Sequence, residues 1–310
     1  MGLWDEAFLL RQQAYYDKLQ ALHEEGLSLT HILTLLRVWT AGACVHLQRA
    51  NHMKKSWAVA VDTQTDDLVA RLFLLETNES VRAQCYMRAK EGGLGLASAT
   101  QRNAAAWAGA WEDGMAHIAE ELGFASFDAF EQAWPEWAAC RARVEGVLEQ
   151  DLGGPLERAR WILAMREQTQ KSQRKHALAV KARAAKHMRE HLGGDDQLAL
   201  KMATGTEAAA FMLCDADNKP MPDQHFAVSI RRRLRHTDPG CHQGNCLHKG
   251  ARGAICNKVL VRDGGHHAVI CQLAGGPIHR HNAIRDTLKA WMAKYNITAL
   301  KEQVVTHWSS

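Results

Sequence analysis

Ten potential metal ligands crowd into one stretch of this chain. Four of the eight cysteines and six of the seventeen histidines lie between Cys241 and Asp286. In order they are Cys241, His242, Cys246, His248, Cys256, His266, His267, Cys271, His279 and His281. Thiolate and imidazole donors at this density suit a small tetrahedral zinc site. Such a site needs four deprotonated ligands, so two pairs must converge. His267 and Cys271, with three residues between them, form the tight half. Cys246 and Cys256 form the loose half, since structural zinc pairs usually enclose two to four residues. Cys241 stands nearer that spacing to Cys246, and His248 can replace either, so the first pair stays open. The competing reading is reduced intracellular thiols around a loop-rich segment. Gly264-Gly265 and Gly275-Gly276 supply loops that can bring distant ligands together. The other cysteines, Cys44, Cys85, Cys140 and Cys214, stand alone in helical patterns. They read as small apolar residues rather than a disulfide framework.

Cations gather on both sides of that segment. Lys171 to His191 carries Lys171, Arg174, Lys175, Lys181, Arg183, Lys186 and Arg189 against a lone Glu190. Ala177, Leu178, Ala184 and Met188 give it a weak apolar stripe. Such runs are often plain solvated faces. One-sided charge favours phosphate contact, because structural surfaces normally mix signs. Arg231-Arg232-Arg233 with Arg235 precede the cysteine segment, and arginine forks suit bidentate phosphate contact. Arg280-His281-Asn282 follow it. The net charge of only +4 excludes a general polycation, so the placement of charge carries the information.

The elements that must position these groups read as helices. In 310 residues only six are proline, and 46% are apolar, which is ample for a core. One helix is expected over 5–25, ended by Gly26, and a second is capped by Ser28 with Ile32, Leu33, Leu35, Leu36 and Trp39 facing a core. A third is expected to open at Thr65-Asp66-Asp67, with its acids on the positive helix end. Glu91-Gly92-Gly93-Leu94-Gly95-Leu96 is a turn that lacks the ending of a phosphate-binding loop. An alanine-rich helix over 97–110 follows it, and further helix from Phe124 to Leu148 is interrupted at Pro135. Gly153-Gly154-Pro155 marks a boundary. The expected division is a helical domain over 1–155, a basic helical linker over 156–236 and a small zinc module over 237–310. The fold class is mainly α. No apolar run approaches a membrane span and no signal-peptide core is visible, so the expected setting is intracellular, with a nuclear location compatible.

Taken in order, these pieces resemble the C-terminal part of non-LTR retrotransposon reverse transcriptases. The resemblance runs from about Leu29 to Leu300. Leu35-Leu36-Arg37 and Glu91-Gly92-Gly93-Leu94-Gly95-Leu96-Ala97-Ser98 resemble the region just after the family's palm. Met221-Pro222-Asp223-Gln224-His225-Phe226 leading into the arginine cluster resembles its downstream linker. The cysteine segment through Arg280-His281-Asn282 and Arg285-Asp286 is the most specific part, and resembles the knuckle before a restriction-like endonuclease. The resemblance implies a thumb-like helical domain and a structural zinc on Cys246, Cys256, His267 and Cys271. It also implies a grip on RNA and/or DNA.

It further implies a palm upstream and an acidic endonuclease set downstream. After Asp286 the only carboxylate side chain is Glu302, whereas metal-dependent cleavage needs converging carboxylates. The expectation is therefore a retroelement fragment or remnant with no catalytic residues of its own. Two alternatives stand beside it. One is a component of a polymerase/endonuclease, active only with flanking domains. The other is a helical protein-interaction scaffold.

Overall fold

Amphipathic periodicity sets the first helices. Phe8, Tyr16 and Leu19 repeat on one face of α1 (Leu3–Glu24) and are buried. Gly26, at φ +108, closes the turn into α2 (Leu29–Gly42), whose Ile32, Leu33 and Leu36 are wholly buried. The computed structural model describes residues 3–76, 78–166, 171–212, 221–236, 245–246, 255–257, 285–286, 289–290 and 292–293. These divide between two compact units, Met1–His236 and Thr237–Ser310. The described residues are mainly helical.

The first unit continues through α3 (Val45–Ala50), α4 (Lys55–Phe73) and α5 (Glu79–Cys85). Next come the glycine-rich turn and α6 (Ala99–Leu122). Pro135 splits the following stretch into α7 (Phe127–Ala133) and α8 (Pro135–Leu152), where it takes the first helical position, the one place its missing N–H costs nothing. Gly153 ends α8 at φ +71. α9 (Ala159–Arg166) and α10 (Ser172–Glu190) then return to pack on α6. α11 (Gly194–Met202), a 3-10 turn at Glu207–Met212 and α12 (Asp223–Arg233) complete the unit. Among the described residues, no helix is long and apolar enough to cross a membrane.

Two apolar clusters dominate. One joins α1, α2, α4, α5 and α12 through Leu19, Leu36, Leu68, Phe73, Val81 and Phe226, and takes in Leu94 and Leu96 of the glycine-rich turn. The other is aromatic: Trp107, Phe127, Phe130, Trp137 and Trp161 from α6, α7, α8 and α9 pack edge to face and stacked. Ring pairs of this kind add roughly 0.5–1.5 kcal/mol beyond their buried area.

Two helix starts differ from expectation. Ser28 holds the N-cap position of α2, but its hydroxyl makes no capping bond and lies 2.6 Å from His31 Nδ1. Asp223, in the first turn of α12, instead accepts from the Leu29 N–H at 2.8 Å. The helix expected to open at Thr65 is α4, which opens at Lys55. Its apolar period runs back through Val61, Ala58 and Trp57, all buried. Thr65 folds its hydroxyl back onto the Val61 carbonyl at 3.1 Å and stays within the helix. Asp66-Asp67 therefore sit mid-helix. Asp195-Asp196, another adjacent acid pair, lie in the first turn of α11.

Candidate nucleic-acid interface and metal centre

α10 is fixed by its inner side. Ser172, Val180, Ala185 and Met188 are buried. The α6 crossing is so close at Gly109 that a Cβ there would lie 2.2 Å from the Gln173 backbone nitrogen. The Ser172 N–H donates to Asp113 Oδ1 at 3.1 Å, and His176 Nε2 lies 2.8 Å from Glu112 Oε2. With one side spent on packing, Arg174, Lys175, Arg183, Lys186 and Arg189 are left exposed. Glu190 is the only acid in the helix. It pairs with Lys186 at 3.8 Å across an exposed turn, a contact of little energetic weight. Arg183 places its guanidinium beside Gly153, at the C-terminal end of α8, where a cation is favoured by the helix dipole.

Lys181 points another way. It is partly buried, and its Nζ donates to the Leu96 carbonyl at 3.3 Å. Burial, then the nearby Arg102 and Arg88, hold its pKa below the ordinary lysine value.

The arginine cluster at the end of α12 is mostly internal. Arg231 and Arg233 are buried. Arg231 Nη1 donates to the Phe73 carbonyl at 3.2 Å. Arg233 donates from Nε to Gly93 O at 3.0 Å, from Nη1 to Ala208 O at 2.8 Å, and from Nη2 to Ala89 O. Burial, then Arg37, lowers the Arg233 pKa to about 10. Arg235 donates to Gln84 Oε1 at 3.0 Å and Ser80 Oγ at 2.6 Å, and pairs with Asp196 at 3.2 Å. Arg232 is the exposed member.

These donors explain the glycine-rich turn. Its carbonyls point outward to cations and amides: Gly92 O takes Gln84 at 2.9 Å, Gly93 O takes Arg233, Leu94 O takes Arg37 at 2.6 Å and Leu96 O takes Lys181. Gly93 must be glycine, because a Cβ would meet the Met87 carbonyl oxygen at 2.3 Å. The turn thus offers acceptors, the reverse of a loop that cradles phosphate with its N–H groups.

In the second unit, Cys246 is buried and Cys256 half-buried. The segments that carry them are tied together. The Asn257 N–H donates to the Cys246 carbonyl at 2.9 Å, and Asn245 Nδ2 donates to Asn257 Oδ1 at 2.7 Å. Asn257 adopts φ +54, a left-handed conformation that asparagine tolerates. The nine-residue interval that made this pair look loose is closed by these bonds. His267, Cys271, Cys241, His248, Arg280, His281 and Asn282 lie outside the described residues. Among the described residues no group of three metal-binding side chains is gathered. Of the four expected ligands, Cys246 and Cys256 lie among the described residues, and thiols are soft donors of the kind zinc takes.

No protein-family model, curated protein or solved structure matches this chain. Its own side chains must carry the functional reading.

Two constellations escaped sequence reasoning. Asp62 on α4 caps α6, accepting from Ala99 N at 2.7 Å, Thr100 N at 3.0 Å and Ser98 Oγ at 2.6 Å. One turn later Asp66 is buried, accepts from Tyr86 Oη at 2.9 Å and lies 3.5 Å from Arg82. Burial raises its pKa to about 6, against the lowering contributions of Tyr86 and Arg82. The second is an ionic chain around the aromatic cluster. Glu112 lies 2.8 Å from Arg160, Arg160 lies 3.7 Å from Glu145, Glu145 pairs with Arg141, and Arg141 lies 2.7 Å from Glu131. Together with the Glu112–His176 contact it links α6, α7, α8, α9 and α10, and so holds the cationic helix in place. The signal was available only as charged residues inside otherwise apolar helices.

Proposed function

We propose that this chain is a nucleic-acid-binding protein that grips phosphates through the outward face of α10, using Arg174, Lys175, Arg183, Lys186 and Arg189. The exposure of five cations on a helix with one acid supports this reading. Arg232 is the member of the downstream cluster available to join them. Arg231 and Arg233 spend their donors on backbone carbonyls and serve the fold. In the same proposal the second unit holds one structural zinc through Cys246, Cys256, His267 and Cys271, and zinc would supply the folding energy of that unit rather than chemistry. Arg280, His281 and Asn282 would position nucleic-acid backbone or brace that unit. The ligand is RNA and/or DNA, and the chain performs no polymerisation or cleavage itself. A retroelement reverse transcriptase is the parent that the order of motifs favours. The test is the salt dependence of binding to a single-stranded RNA and to a duplex DNA. Phosphate contacts release counterions, so affinity should fall steeply with salt. A flat response, or no binding at low salt, would favour the protein-interaction scaffold.

A further inference from the structure

A cavity of ≈ 650 Å³ opens beside the C-terminal half of α10, between the turn at Ala89–Glu91 and α11. Its volume falls within the range of small-molecule sites. Four cations and two acids line it: Lys90, Lys186, Arg189 and Lys201 against Glu91 and Glu190. Of the two acids, Glu91 is the one firmly committed, and Glu190 makes only a weak, exposed contact. Glu91 pairs with Arg88, and Glu190 with Lys186. Among the described residues Lys90 and Lys201 form no ion pair and Arg189 attracts Glu91 only at longer range, so three cations converge on one concavity with little fixed counter-charge.

The rest of the lining is equally specific. Leu200 forms an apolar floor, 2% exposed and packed with Met87, Ala185 and Met188. Gln197 commits its amide nitrogen to the Arg189 and Leu192 carbonyls at 3.2 and 3.0 Å, which turns its Oε1 into the remaining acceptor. The Gly205 N–H donates to the Lys90 carbonyl at 2.8 Å and holds the rim beside Thr204. Three cations, one amide acceptor and an apolar floor match a ligand with a phosphate at one end and a flat ring at the other.

We propose that this cavity binds a nucleoside phosphate, with the phosphate among Lys90, Arg189 and Lys201 and the base over Leu200 beside Gln197. The proposal rests on the nucleic-acid reading for one of its two sources, the terminal nucleotide of a bound strand. A free nucleotide is the other.

Fluorescence anisotropy of the full chain with a dye-labelled, 5′-phosphorylated trinucleotide tests it, with the nonphosphorylated trinucleotide, AMP, adenosine and inorganic phosphate as competitors. The expected result is preference for the phosphorylated probe and competition by AMP but not by adenosine. Lys90→Gln with Lys201→Gln should weaken binding about tenfold, or about 1.4 kcal/mol, with helical content unchanged by circular dichroism. If that variant loses its helical content, AMP against adenosine on the wild type decides alone. Arg11→Gln with Lys18→Gln, exposed on α1 and outside both proposed sites, should change trinucleotide affinity little. The proposal is overturned if the cavity variant binds as wild type does, if adenosine competes as well as AMP, or if both double variants lose affinity equally. Steep salt dependence on long RNA together with an unaffected cavity variant would keep the interface and remove the cavity. AMP binding that needs Lys90 and Lys201, without salt-dependent RNA binding, would keep the cavity and remove the interface, leaving the free nucleotide as its ligand.

Discussion

At the scale of single residues, burial decides what a charged side chain does. Arg231 and Arg233 look like phosphate forks in sequence, yet their partners are the carbonyls of Phe73, Ala89, Gly93 and Ala208, 25 to 158 positions away. No local pattern announces such partners. Asp66 is hidden for the same reason. It follows a threonine and precedes another acid, as a helix start would, but the helix began eleven residues earlier at Lys55. Its pKa near 6 has a measurable consequence. Since the folded value lies above that of the unfolded chain, Asp66 supports the fold below about pH 4, and that support is lost as pH rises through about 6. Asp66→Asn keeps an acceptor for Tyr86 but cannot ionise. Relative to wild type, the variant should become more stable between pH 4 and pH 7, by about 2 kcal/mol. Urea melts at both ends of that range measure the difference. A constant difference would mean that Asp66 does not titrate in this window.

At the scale of elements, the helices were the legible part. Gly26, Gly153 and Pro135 each mark a helix end that the fold uses, because caps and breakers act locally, although Gly153 lies within the first unit and does not divide it. What holds one helix against another was not legible. The α6–α10 crossing turns on Gly109, which in sequence is one small residue among many alanines. Gly109→Ala should gain helix propensity of about 1 kcal/mol and lose about 1–3 kcal/mol to overpacking, because the obstacle is the Gln173 backbone and not a movable side chain. The expected outcome is net destabilisation, with faster amide exchange concentrated in α10. Slower exchange or higher stability would show that the crossing has room.

At the scale of the whole molecule, the chain combines a helical unit over Met1–His236 and a second unit over Thr237–Ser310. The cysteine–histidine density of the second was the clearest signal in the sequence, but density does not choose ligands. The bonds of Asn245 and Asn257 tie the Cys246 and Cys256 segments together, and the choice of all four ligands rests on spacing and resemblance. One zinc per chain is expected by elemental analysis, and His267→Ala with Cys271→Ala should abolish it. Chelation should unfold the second unit and leave the helices of the first largely intact, because zinc binding would be folding energy for the second unit alone. Full metal retention by the double variant would assign the ligands elsewhere, with Cys241 and His248 the first candidates.

The central claim is that the exposed face of α10 contacts phosphate. Its most direct measurement is the slope of log affinity against log salt for a single-stranded RNA, on wild type and on a variant carrying Arg174→Glu, Lys175→Glu, Arg183→Glu and Lys186→Glu. Each lost phosphate contact should reduce the slope by about 0.7 for single strands. The account predicts a steep wild-type slope that is flattened by about 3 in the variant, with affinity falling across all sequences tested. Equal affinity and equal slope in the two proteins would contradict it.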